Sequence, residues 1–224
     1  TNILYGSLFG QVDDIEVNGL GQYFVSGRYR GTSIIGSTDI NDLANTAVLV
    51  EGSNGNAGDR VDAAVAFFEG DGTLKWSLYT QNSEQFISDV TIYNPLISYY
   101  STGCQDFILL AGSFQSSIPL LDALGGSTIL SGAGFEDLYL ATINAATGEI
   151  VDSEVDGAAN REIILCLETD QSGNAYLGGI INGNSELNGI SLSFAGGASD
   201  GFIAKYDTNL DVSWARSPRG PTKM

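Results

Sequence analysis

An all-β fold assembled from one repeated four-strand unit is what this sequence predicts, on three observations. The first is punctuation: twenty-nine glycines against four prolines, with many Asn, Asp and Ser, mark tight turns, which suit short strands better than long helices. The second is alternation: in "GFIAKYD", Phe202, Ala204 and Tyr206 face one way and Ile203 and Lys205 the other, the period of a strand. The third is internal repetition, which sets the architecture.

Three stretches superpose without a gap: "DAAVAFFEGDGTLKW" from Asp62, "DLYLATINAATGEIV" from Asp137 and "DGFIAKYDTNLDVSW" from Asp200. Each opens with Asp, has Ala four residues on (Ala66, Ala141, Ala204) and an acidic or amide residue three further (Glu69, Asn144, Asp207). Each then places a large apolar residue, Trp76, Val151 or Trp214, seven positions on. Upstream lies a strand ending at Gly27, Gly112 or Gly179, and before it another short strand, in "DDIEVNG", "SDVTIY" and "ILCLETD". The units occupy about 10–80, 81–155 and 156–218 of a single domain or segment spanning 1–224. Both faces of "DLYLATIN" are largely apolar, as expected of a sheet packed between two others.

Four short antiparallel strands per repeat indicate a β-propeller-like array of blades. "DQSGNAYLGG" from Asp170, then "GASDGFIAKYD" from Gly197 and "SWA", resemble the bacterial β-propeller repeats called SBBP repeats. The third unit carries the match. The first departs by the insertion "DINDLANTAVLVEGSNGNAGDR" and the second by "NPLISYYSTGC". The resemblance implies a structural or adhesive module of a secreted or surface-exposed protein, extracellular or at the cell surface, with no assigned activity.

"NILYGSLFG" occupies the slot of a last strand, so the expectation is three blades plus one extra strand. Propellers close with four to eight blades, and open edges invite pairing. Further residues of a longer polypeptide are therefore expected to complete the ring, ahead of copies completing one another or an open array. The start at Thr1, inside an apolar run, suggests a processed product or a piece of something longer.

Charge narrows the partners. Asp and Glu number 27 against 9 Lys and Arg, a net of −18, which repels phosphate backbones and anionic headgroups. Nucleic acid is not expected, nor is membrane insertion, since no apolar run reaches eighteen residues. A protein or a glycan remains, or further copies of the chain.

Histidine is absent, which removes triad catalysis and the usual zinc ligand sets. Carboxylates could support a glycosidase or lyase, with clusters at Asp13, Asp14 and Glu16, at Glu136 and Asp137, and at Asp152, Glu154 and Asp156. The last three share a strand face, and an outer strand whose charges prevent pairing explains them better. The expectation is therefore no catalytic residue. Asp62, Asp137 and Asp200 are read as turn anchors accepting backbone N–H bonds once per unit.

No cofactor is expected, with calcium the one metal the loops could take. Its candidates are Asp59, Asp62 and Asp170, and it would support a lectin-like reading. Cys104 and Cys166 could pair as a disulfide or remain buried thiols. Tyr93, Tyr99 and Tyr100 in "YNPLISYY" are the candidate binding residues, at an insertion loop that runs from Asn94 to Cys104.

Overall fold

The computed structural model describes residues 11–29, 33–36, 46–49, 62–80 and 92–217, and these contain strands and turns but no helix. "NILYGSLFG" and Asp59 lie outside them. The first unit holds β1 (Gln11–Val17), β2 (Tyr23–Tyr29), a hairpin of β3 (Ser33–Gly36) and β4 (Thr46–Leu49), then β5 (Asp62–Phe68) and β6 (Leu74–Thr80). The second holds β7 (Ile92–Ser101), β8 (Asp106–Phe114), the hairpin β9 (Ser117–Leu121) and β10 (Ser127–Ser131), then β11 (Asp137–Asn144) and β12 (Ile150–Asp156). The third holds β13 (Glu162–Thr169), β14 (Ala175–Ile181), the hairpin β15 (Ser185–Leu187) and β16 (Ile190–Leu192), then β17 (Asp200–Tyr206) and β18 (Val212–Arg216).

The described residues are all-β, with several antiparallel sheets, and none of the sheets they form is closed. Orders β1-β2-β5-β6, β7-β8-β11-β12 and β13-β14-β17-β18 recur. Register repeats with them: Phe24 stands opposite Phe67, Leu109 opposite Thr142 and Tyr176 opposite Lys205. Even the irregularities recur, with a bulge in the first strand of each sheet, at Val12/Asp14, Tyr93/Leu96 and Ile164/Cys166.

Three expectations need correction. Each unit carries six strands rather than four, because a hairpin is inserted between its second and third. The β9-β10 hairpin reaches back to pair with β6, covering the edge of the first sheet. The ungapped superposition also fails: Trp76 and Trp214 stand opposite Phe67 and Lys205, whereas Asp152 stands opposite Thr142. The β11-β12 turn is one residue longer, so Val151 is not the counterpart of the tryptophans.

Third, the stretch from Asn94 is a strand rather than a loop. Pro95 lies in the bulge of β7, where the ladder is interrupted and its missing N–H costs nothing. Asn94 adopts φ 45° there, a conformation Asn tolerates better than most residues. Beyond it Tyr99 packs half-buried on Phe24 at a ring separation of 6.1 Å, and Tyr100 is buried, stacked on Phe107 at 5.3 Å.

Sheet-to-sheet packing supplies the cores. Phe24, Val65 and Phe67 of the first sheet meet Tyr139, Ala141 and Ile143 of the second. Leu109, Leu138 and Leu140, on the opposite face of the second, meet Phe202, Ala204 and Tyr206 of the third. Burying each large apolar side chain contributes about 1.5–3 kcal/mol. Ala141 and Ala204 keep the sheets close.

The first strands converge. β7 packs against β1 and β2 and also against β13, and its outer backbone groups, unused by the ladder, bond to these neighbours. Asp14 Oδ2 accepts the Ile97 N–H at 3.1 Å, Ser26 Oγ donates to the Pro95 carbonyl at 2.5 Å, and Thr169 Oγ1 donates to the Tyr99 carbonyl at 3.2 Å. An edge that would otherwise seek another strand is satisfied within the chain.

Candidate functional site

At the turn end of the first two sheets lies a cleft of about 590 Å³. Its near wall comes from the first sheet (Asn18, Gln22, Glu69, Lys75). Its far wall comes from two turns of the second, Gly103 to Asp106 and Asn144 to Ala146. Phe24 and Phe67 form the floor, stacked at 4.5 Å with planes 10° apart.

The walls are rigid for local reasons. Asn18 Oδ1 accepts the N–H groups of Leu20 and Gln22 at 3.0 and 3.1 Å, a side-chain-closed turn that Asn favours. Its Nδ2 donates to Gln22 Oε1 at 2.8 Å, and Gln22 Nε2 donates to Glu69 Oε2 at 2.8 Å. Glu69 Oε1 meets the Lys75 ammonium at 3.5 Å. Lys75 is the extra residue of the bulge in β6, and such a bulge redirects a side chain.

Across the cleft, Asn144 Oδ1 holds the N–H groups of Ala146 and Thr147 at 2.9 and 3.2 Å. Gly103 takes φ 81° in the other turn, where a side chain would be strained. Burial first, then the bond and charge of the Asp106 carboxylate, holds the Tyr99 hydroxyl above its usual range. The cleft thus combines four amides, one ion pair and one further carboxylate over an aromatic floor.

The residues singled out from the sequence lie mostly elsewhere. Asp137 Oδ2 accepts the N–H groups of Ala133 and Gly134 at 2.9 and 3.0 Å, and Asp200 Oδ2 accepts that of Ala195. Asp62 accepts the Thr80 hydroxyl at 3.0 Å. Asp170 accepts the Asn174 side-chain amide at 2.8 Å and the N–H groups of Asn174 and Ser172, and these bonds, that of the amide first, hold its carboxyl below the usual range. Among the described residues no group of three or more His, Cys, Asp or Glu could hold a metal ion.

Tyr99 and Tyr100 serve the cores described above. Cys104 and Cys166 are both free and exposed, which corrects the expectation of a disulfide or buried thiols. Cys104 sits in the β7-β8 turn beside the cleft, whereas Cys166 belongs to β13 of another sheet.

The acidic clusters are also accounted for. Asp13 makes a two-pronged pair with Arg28 at 2.7 and 2.8 Å. Asp152 and Glu154 lie on β12, an edge strand. Asp156 is buried and accepts the Tyr206 hydroxyl at 2.8 Å and the Asn188 N–H at 2.7 Å. Glu136 pairs with Arg161 at 3.2 Å. Buried Glu162 is pushed up to about 7, burial being the largest cause.

No family model and no curated protein matches the chain.

Sequence reasoning missed Gln22, Lys75, Gln105 and Asp106 as lining residues. Asn144 and Glu69 had surfaced only as repeat positions. A repeat comparison cannot find a site whose two walls come from different units and differ between them.

Proposed function

We propose that this chain is a non-enzymatic interaction module whose three sheets are propeller-like blades, and that the cleft between the first two takes an uncharged, hydroxyl-rich ligand, a glycan. The single observation behind the ligand class is the lining: beyond the bonds within their own walls, Asn18, Gln22 and Asn144 each keep an amide N–H, and Gln105 adds a fourth amide, in an otherwise acidic molecule. Amides both donate and accept, which suits sugar hydroxyls. Glu69 and Asp106 disfavour anionic ligands.

The blade reading draws on the repeated strand order and on the convergence of β1, β7 and β13. The SBBP resemblance of the third unit supports the same reading and implies a secreted or surface-exposed protein.

Glu69 and Asp106 lining one cleft also favour a second reading, a carboxylate glycosidase. Against it, both oxygens of Glu69 are engaged, by Gln22 and Lys75.

A glycan array probed with the labelled chain tests the proposal. Retention of neutral glycans, reduced about tenfold by Gln22→Ala combined with Gln105→Ala, is expected, a loss of about 1.4 kcal/mol. Release of reducing ends that Glu69→Gln abolishes would favour the glycosidase. No binding to any neutral glycan would sink the ligand class.

A further inference from the structure

Each sheet presents one equivalent face to the sheet that follows it. Register makes Val65, Leu140 and Ile203 counterparts, standing opposite Ser26, Ala111 and Gly178. Val65 packs toward the second sheet and Leu140 toward the third, and both are fully buried. Ile203 is 55% exposed. The same holds one pair along: Phe24 and Leu109 are buried, and their counterpart Tyr176 is 38% exposed. Leu165, in the bulge of β13, is 53% exposed.

The tryptophans sharpen the comparison. Trp76 Nε1 donates to the Ala145 carbonyl in the β11-β12 turn of the next sheet at 2.9 Å. Its ring lies where a side chain on Gly148 of that turn would stand. Trp214 occupies the same register position, opposite Lys205. It is half-buried, edge-on to Tyr176 at 6.5 Å. Trp214, Tyr176 and Ile203 border a shallow apolar trough of about 280 Å³ floored by Gly178.

We infer that this outward face of the third sheet docks a further four-stranded sheet of the same repeat, joined to this one as the third is joined to the second. The complement it fits is already present twice, an aromatic, an alanine and a large residue on alternate positions: Tyr139, Ala141, Ile143 and Phe202, Ala204, Tyr206. Trp214 takes the role of Trp76, giving its indole N–H to the turn between the partner's third and fourth strands. The inference continues an interface that occurs twice within the chain, and it does not depend on the cleft's ligand.

Cys166 reports on this face, since it lines the trough and is exposed; Cys104, on another sheet, is the internal reference. The experiment compares thiol labelling of the chain with that of the same chain extended after Ser217 by a second copy of residues 157–217, its cysteine replaced by Ser. Cys166 is expected to label about tenfold more slowly in the extended chain while Cys104 is unchanged, the mark of a protected surface. Ile203→Asn, which places no charge beside Cys166, restores the fast rate in the extended chain and alters nothing in the parent chain.

Unchanged Cys166 labelling in the extended chain, whether the added unit folds or stays protease-sensitive, overturns the inference. So does protection in the parent chain that grows with concentration, which would assign the face to a second copy.

Discussion

Trp76 and Ala145 join two sheets by one buried hydrogen bond, Nε1 to carbonyl oxygen at 2.9 Å. Trp76→Phe keeps most of the packing but leaves that carbonyl without its donor, a loss of about 1–3 kcal/mol. Gly148→Ala attacks the same contact from the other side. The added carbon would sit 2.8 Å from the indole and 2.6 Å from Ala123 Cβ, at φ 74°. Urea melts should show both variants shifted to a lower midpoint.

Tyr206 and Asp156 make the matching link between the second and third sheets, at 2.8 Å. Tyr206→Phe removes a donor from a buried carboxylate that, among the described residues, keeps the Asn188 N–H. The expected loss is about 1.5–3 kcal/mol, measured by chemical denaturation.

Tyr139 offers the reverse case. Its hydroxyl is fully buried with no hydrogen-bond partner among the described residues. Tyr139→Phe removes a desolvated polar group and should stabilise the chain by about 1 kcal/mol. A lowered melting temperature would show that the hydroxyl is satisfied.

Stability should fall as pH rises toward 8. Burial is the main reason Glu162 is pushed up to about 7 from 4.5, with Asp137 and Glu136 adding to it against bonds from Ser185 and Ala158. The folded chain therefore holds this proton to higher pH than the unfolded chain. The contribution is complete below 4.5 and is lost as pH climbs through 7. Asp137, Asp156 and Glu154 are raised as well, chiefly by burial. Melting temperatures should be higher at pH 5 than at pH 8, and Glu162→Gln should flatten the difference. A higher value at pH 8 would contradict this account.

Reductant should leave the melting temperature unchanged, because Cys104 and Cys166 are separate exposed thiols. A drop on reduction would mean that they pair.

How much of this was legible in the sequence depended on whether the cause was local. Asp137 and Asp200 were readable as turn anchors because a carboxylate bonding nearby N–H groups is a short-range event. Alternation exposed Phe202, Ala204 and Tyr206 as one face for the same reason. Tyr99 and Tyr100 were misread because "NPLISYYSTGC" stands out as an insertion against the other units, whereas β7 continues through a bulge at Pro95. The direction of Lys75 depends on another bulge, and the placing of Gln22 and Gln105 on two walls of one cleft depends on how two sheets pack. Neither leaves a pattern in the chain.

The cleft is best tested by thermal shift with neutral and anionic oligosaccharides, on the chain itself and on the variant carrying Gln22→Ala with Gln105→Ala. The account expects a neutral oligosaccharide to raise the melting temperature of the unaltered chain only, with anionic ones inert. An equal rise in both proteins, a rise with anionic sugars alone, or no rise at all would contradict it.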